Sequence, residues 1–420
     1  MNYKNDEDIL MCETLQILPN RNVEDNSLTS GVINFEWSTE RGEAVGANTF
    51  LDIQFDFYNS NGGSRIPFVS ANNISLNMNA PAILFDSIGL KINGQIVCEI
   101  TNYSIIDFLR MRQQLTGYAL DNVYNNLMIT NGSASTRADI TNKAASIDQS
   151  VMTFDFVKNV LPLELLFEGL GSSIKGKANY CLYLQPNVQY KNQIYVNSGA
   201  LINSDIVKNV KGMILYVEKK TLKYDSNFKE VFRMNNIRMF KEPVLSSQGE
   251  EQRTFYLSPK TKGVTIAFQA ISAGQGNNTT PITNLNTQVY TPTDDTTNYL
   301  TFLQLNYLGK NYTPSGHQLL KTNSAVIGTG NTNNNAYAYY SSIRQIGNDE
   351  PESEDSYYLR GPYQYFNLYN PENIKNNNVL TVRYRFSGFG AGLNLLVFEH
   401  TEHMGEITVA NHEIRNITIN

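Results

Sequence analysis

Four histidines, His317, His400, His403 and His412, are the whole imidazole complement of a 420-residue chain. Two of them stand in His400-Thr-Glu-His403, with Glu399 and Glu406 alongside. Imidazole and carboxylate are zinc-type ligands. On a helix the i and i+3 rings would share a face, and on a strand they would point opposite ways. The tetrad follows the apolar alternation of residues 393–398 and precedes Gly405, so a loop of solvated polar residues is expected, with no metal. Asp349-Glu-Pro-Glu-Ser-Glu-Asp355 is rich in oxygen ligands but lacks the alternating Asp/Asn pattern and the glycine of an ordered calcium loop, and a solvated loop is expected there too. No GxxxxGK[ST] or GxSxG occurs, and Gly388-Phe-Gly390-Ala-Gly392 reads as the turn of a hairpin between two strands. Nothing singles out a carboxylate pair for glycoside hydrolysis. The expectation is no catalytic, cofactor-binding or metal-binding residue, no cofactor, and a protein that is not an enzyme.

Tyrosines cluster at 337–340 and 357–365. Flat amphipathic rings suit stacking on sugars or bases, and they suit protein interfaces, where two stiff torsions bring large contact area at low entropy cost. The interface reading is preferred. Cys12, Cys98 and Cys181 are too few and too far apart for a disulfide framework or a CxxC knuckle, which fits synthesis in a reducing interior. The first 30 residues have neither an apolar core of signal-peptide length nor a basic run, so no secretory leader and no arginine-rich arm are expected. Triplets such as Asn131-Gly-Ser133 and Asn311-Tyr-Thr313 then carry no glycan. A net charge of −6 disfavours strong nucleic-acid binding.

The elements that must position these residues are strands. Charged residues make up 17% of the chain and hydrophobics 41%, a balance against disorder and coiled coil. Period-two alternation recurs at residues 50–58, 88–92, 151–156, 178–184 and 213–217, then at 264–270, 299–307, 379–386 and 393–398. Helical spacing is confined to 104–115, where Ile105, Phe108, Leu109 and Arg112 recur with Ser104 as the expected N-cap, and to 336–346. Each helix follows a strand, a glycine turn and a second strand: Ile88–Ile92 with Asn93-Gly94, and about 215 residues later Leu305-Asn-Tyr-Leu-Gly309. Residues 179–184 and 380–386 match at the other end of each half. This duplication predicts an all-β chain of two antiparallel β-domains of like topology, each with a helix excursion between its strands. The expected division is an N-terminal extension over 1–28, a first β-domain over 29–221 and a second, with long polar loops, over 222–420. The charged interval 219–226 is the boundary. The polar stretches 273–298 and 323–335 are expected as exposed loops.

Asn77-Met-Asn-Ala-Pro81-Ala-Ile-Leu-Phe85-Asp-Ser-Ile88-Gly-Leu90-Lys-Ile92-Asn93-Gly94, with the helix beginning near Tyr103, resembles the first jelly roll of viral double jelly-roll major capsid proteins, in particular the Polinton, adintovirus and virophage-like group. Leu161-Pro162-Leu163-Glu-Leu165-Leu166 is similar to that family's Leu-Pro-Leu segment, and residues 212–220 to the closing strand of its first barrel. In the second half, Thr254-Phe-Tyr-Leu257, residues 262–268 and Tyr307-Leu-Gly309-Lys-Asn-Tyr312-Thr-Pro314 resemble the opening strands and second glycine turn. The likeness runs over residues 30 to 415. Each piece is an apolar pattern with a turn, and the order carries the resemblance.

The resemblance implies that the two domains are two tandem antiparallel jelly-roll barrels, a double jelly roll with short helix excursions, the first jelly roll over 29–221 and the second over 222–420. It implies that the chain is a major capsid protein whose homotrimers form pseudo-hexameric capsomers in the icosahedral virion shell of a DNA virus. The partners implied are the same chain in the trimer and in neighbouring capsomers, penton and minor capsid proteins, and an internal membrane. Made inside the host cell and not secreted, the protein would reside in the virion. No catalytic residue is carried over. The alternative is a carbohydrate-binding or glycan-hydrolysing β-sandwich that uses Tyr339 and Tyr363, and a spike or fibre is disfavoured by the absence of short-period repeats.

Overall fold

Sixteen strands of the computed structural model fall into two sets of eight whose order in the sheets is the same. The structure describes residues 9–23, 31–46, 48–61, 64–66, 74–75, 80–114, 157–163, 166, 176–190, 195–196, 206–222, 228–245, 249–270, 300–313, 317–318, 336–348, 351, 357, 363–368, 378–386, 392–410 and 413–419. The first set is β1 (Ile9–Ile17), β2 (Ile33–Thr39), β3 (Phe50–Asn61), β4 (Phe85–Ile92), β5 (Gln95–Thr101), β6 (Val157–Pro162), β7 (Ala178–Pro186) and β8 (Ile206–Leu222). The second is β9 (Phe228–Pro243), β10 (Glu250–Tyr256), β11 (Thr261–Ala270), β12 (Leu300–Tyr307), β13 (Lys310–Asn311), β14 (Gln364–Asn367), β15 (Val379–Phe386) and β16 (Leu393–Ala410). A last strand, β17 (Glu413–Ile419), pairs with the end of β16. Helix α1 (Tyr103–Gln114) lies between β5 and β6, and α2 (Ala336–Ile346) between β13 and β14.

In the first half the sheets run β1-β8-β3-β6 and β2-β7-β4-β5. In the second they run β9-β16-β11-β14 and β10-β15-β12-β13. Adding eight to each label of the first half gives the second. All these pairings are antiparallel, and the order is that of a jelly roll, written twice. The alternation that predicted the strands now faces inward. Ala178, Tyr180, Leu182 and Leu184 of β7 are buried, as are Leu380, Val382, Tyr384 and Phe386 of β15. Both interiors belong to one apolar cluster.

The duplicated turns are alike in backbone. Asn93 and Gly94 have φ of 50° and 82°, Leu308 and Gly309 of 52° and 76°. Two consecutive left-handed residues make the type I′ hairpin turn that matches strand twist. Leu308, a branched side chain in that region, shows that the second turn is imposed by its sheet rather than chosen by its residue.

Four sequence expectations change. Residues 1–28 are not simply an extension, because Ile9–Ile17 is paired with Leu215–Leu222 as the edge strand of the first sheet. Lys219–Leu222 are not a linker but the end of β8. The segment holding Gly388, Gly390 and Gly392 is no hairpin, since β15 and β16 lie in different sheets and the chain crosses between them. Helix α1 begins one residue before Ser104, and the carbonyl of Asn102, itself at φ 53°, accepts the first hydrogen bond from Ile106 N–H at 3.3 Å, so Asn102 holds the cap position. The expected strand at 151–156, most of the acidic run 349–355 and the polar stretches 273–298 and 323–335 lie outside the described residues.

Candidate functional site

Helix α1 is buried along eleven of its twelve residues. Only a helix covered on every side needs to hide its polar residues as well. The Tyr103 hydroxyl donates to Asp107 Oδ1 at 3.3 Å, and Arg110 sits 3.5 Å from the same oxygen, both charged groups almost fully buried. The helix packs on β4 and on residues 80–84 of the first half and on β9, Tyr357 and Thr265 of the second, so α1 lies in the joint between the two jelly rolls.

Arg112 is the anchor of that joint. It is completely buried. Its guanidinium carbon lies 5.4 Å from the Phe108 ring centroid, 5.7 Å from Tyr357 and 5.0 Å from Tyr363. Its Nη2 donates to the Tyr357 carbonyl at 3.0 Å. Each desolvated cation–π contact is worth up to about 2 kcal/mol, and the charge-assisted hydrogen bond about 1.5–3 kcal/mol. The tyrosines pack on one another edge to face, with Tyr339–Tyr357 at 5.3 Å and Tyr357–Tyr363 at 5.0 Å. The expected surface platform is therefore absent at Tyr339, Tyr357, Tyr363 and Tyr365, all of them buried, and among the described tyrosine side chains of these clusters Tyr340 alone is exposed. A glycan cannot stack on rings that are already stacked around an arginine. The signal for this cage is in the sequence: Arg112 occupies the apolar stripe of its helix, where a cation needs a special partner.

The histidine pair has a different fate from the loop expected. Residues 400–403 lie within the long strand β16, which puts His400 and His403 on opposite faces. His400 faces outward from the β9-β16-β11-β14 sheet, on the side covered by α1 and α2. There Gln113 Nε2 of α1 donates to Thr265 Oγ1 at 2.9 Å, and Thr265 Oγ1 lies 2.8 Å from His400 Nε2. The Thr265 hydroxyl accepts from Gln113 and still has its own proton to give to Nε2 of a neutral imidazole. Burial, followed by the Lys262 charge, pushes the His400 pKa down to about 3, consistent with a neutral acceptor. Tyr365 packs edge-on to the imidazole at 5.3 Å, over the bare Cα of Gly263, where any Cβ would overlap the ring. Asn348 Nδ2 donates to the Gln113 carbonyl at 3.3 Å, which brings the residues after α2 into the same joint.

His403, half-buried, has its pKa lowered by burial and by Lys260, with Glu399 opposing. Glu399 is buried and saturated by Arg238 at 2.8 Å, the Ser258 N–H and the Thr261 hydroxyl. It has no lone pair in reserve for a metal, and no group of three or more candidate ligands exists among the described residues. Far from α1 the halves touch again, where Asn93 Nδ2 of the first glycine turn donates to the Ile414 carbonyl at 3.2 Å and Ile414 N–H to the Lys177 carbonyl at 3.1 Å.

No family model and no curated protein matches this sequence. Solved structures match its fold. The whole chain superposes on 91% of a chain in the 3.5 Å cryo-EM structure of the Sputnik virophage, with a TM-score of 0.59 and 10% identity. The Faustovirus major capsid protein matches with a TM-score of 0.54 at 9% identity, over 96% of this chain and 92% of that one. The mavirus major capsid protein matches with 0.51 at 10%, over 97% and 90%. The fold is the double jelly roll. At such identities the likeness is one of strand order.

Proposed function

We propose that this chain is a capsid-building protein: a major capsid protein whose homotrimer makes a pseudo-hexameric capsomer that tiles an icosahedral shell. The observation that carries this reading is the strand order repeated at an offset of eight within one chain. Two like barrels per chain give six near-equivalent barrels in a closed ring of three, a shape that tiles a surface by repeated contacts between identical copies. A buried joint holding the two barrels in one orientation is what such a tile requires. We place the division between the barrels in residues 223–227. The role is structural and non-enzymatic, located in the virion. Neighbouring capsomers are the first partners, and penton and minor capsid proteins and an internal membrane are further ones. The charge of −6 suits a protein that encloses a genome without gripping it. The test is native mass spectrometry with negative-stain microscopy of the purified chain. Trimers that appear as hexagonal tiles support the reading, and a monomer at every concentration and ionic strength refutes it.

A further inference from the structure

Strand β16 runs between β9 and β11 in its sheet. One side chain of β11 reaches over it to β9: Lys262 Nζ donates to Asn235 Oδ1 at 2.5 Å, between residues 27 apart in the chain. The register explains the reach. The pairing of β11 with β16 slips between Thr261 and Gly263, which makes Lys262 the extra residue of a bulge. A bulge re-aims a side chain. The backbone around it is held, since Leu368 N–H donates to the Lys262 carbonyl at 2.8 Å and Glu402 N–H to the Lys260 carbonyl at 3.1 Å.

A carboxylate stands on the same face. Asn235 is directly opposite Glu402 in the antiparallel register, and such pairs share a face with their Cβ atoms about 4.5–5.5 Å apart. His400, two residues along β16, is on that face as well. The lysine stem therefore crosses β16 beside His400, whose pKa, lowered first by burial, is lowered further by the Lys262 charge. Asn235, Lys262 and Glu402 are half-buried, next to buried Ile237 and His400. Glu402 also meets the exposed Arg233, at 3.9 Å.

A primary amine held on a carboxamide oxygen is close to the carboxamide carbon too. With a C=O bond of about 1.2 Å, Asn235 Cγ lies at most about 3.7 Å from Nζ. Atoms in a near-attack arrangement are about 3–3.5 Å apart.

We propose that Lys262 and Asn235 join in an intramolecular isopeptide bond, with Glu402 as the carboxylate that carries the protons. Glu402 takes a proton from the Lys262 ammonium, and the freed amine attacks Asn235 Cγ. The Nζ–Cγ bond forms and the Cγ–Nδ2 bond breaks. Of the three ammonium protons one stays on the new amide, and two leave with Nδ2 as an ammonium ion by way of Glu402. Nothing is oxidised or reduced. The bond ties the end strand of the sheet, β9, to β11 across β16, and closes the chain on itself between residues 235 and 262. The lysine charge felt by His400 goes with it, while burial, the larger cause of the depressed pKa, remains. Formation of the bond does not depend on the capsid reading; in a shell it would keep a long end strand from peeling off its sheet.

The test is the intact mass of the full wild-type chain, freshly purified and after days at neutral pH, followed by peptide mapping. The expected mass is the sequence mass less one ammonia, with the loss located in a branched peptide pair that contains Asn235 and Lys262. Asn235→Ala and Lys262→Met should keep their full sequence mass at all times. Glu402→Gln should form the bond slower by about a hundredfold or more, the share of rate that a placed proton carrier supplies. A wild-type chain that stays at its sequence mass overturns the proposal. So does an ammonia loss that maps elsewhere, such as to Asn93-Gly94, or one that persists in Asn235→Ala. A Glu402→Gln chain that reacts at the wild-type rate overturns the part given to Glu402.

Discussion

If His400 is a neutral acceptor in a joint between the jelly rolls, acid should loosen that joint by a calculable amount. The imidazole has an ordinary value near 6.5 and is held at about 3 in the folded chain. Between those values the unfolded chain binds a proton that the folded chain refuses, so stability falls as pH falls. The contribution is fully present above about 6.5 and fully lost at about 3, a ceiling of about 5 kcal/mol at 1.36 kcal/mol per pH unit. Over the accessible window from pH 7.5 to 5.0 the same two values give a loss of about 2 kcal/mol. Urea unfolding at a series of pH values measures it, with His400→Gln as the reference, since an amide oxygen can accept from Thr265 and does not titrate. The wild-type curve should drop below that of the variant by about 2 kcal/mol across the window. Parallel curves would refute both the neutral-acceptor assignment and the relay built on it.

Other consequences follow from packing. Gly405→Ala would drive a methyl into the Phe232 ring and Gly263→Ala one into Tyr365, each costing about 1–3 kcal/mol in thermal or urea unfolding, whereas Gly212→Ala, which meets nothing, should be neutral. Arg112→Met keeps the volume but loses the cage contacts and the bond to the Tyr357 carbonyl. It should destabilise by about 2–4 kcal/mol and expose the α1 region to limited proteolysis. Burial pushes the Cys98 thiol up to about 12, so a maleimide should label exposed Cys12 within minutes and reach Cys98 only on unfolding, as mass spectrometry of the native chain would show. Lys219 bridges Glu13 of β1 at 2.7 Å and Glu43 at 2.8 Å. Lys219→Met should release the N-terminal strand, seen as faster amide exchange over 9–17 with the second half unchanged.

The duplicated order of strands was legible in the sequence because each inner face alternates along a half-buried strand, as Leu380, Val382 and Tyr384 do, and because Asn93-Gly94 and Leu308-Gly309 interrupt the pattern at matching places. The same local logic failed where a partner distant in sequence decides. Residues 400–403 look like the polar exit of a strand, yet β9 pairs with them in full and carries the strand to Ala410. Tyr357 and Tyr363 look like surface residues until a buried guanidinium from a helix about 250 residues away claims their faces. Strand β1 carries too weak an apolar pattern, with Leu10 and Met11 outward, to be told from a tail, and its place follows from the register with β8. The proposed function was legible only through the resemblance, since no motif of reacting groups stands in the sequence.

The central claim is that two fused jelly rolls make this chain one third of a six-sided tile. Native mass measurement across a dilution series, followed by negative-stain imaging of the same sample, tests it directly. The account predicts a species of three 47.3 kDa chains that persists on dilution and appears as a pseudo-hexagonal ring of six barrels. A single-chain mass at every concentration and ionic strength, or an assembly whose class averages lack three-fold symmetry, would contradict it.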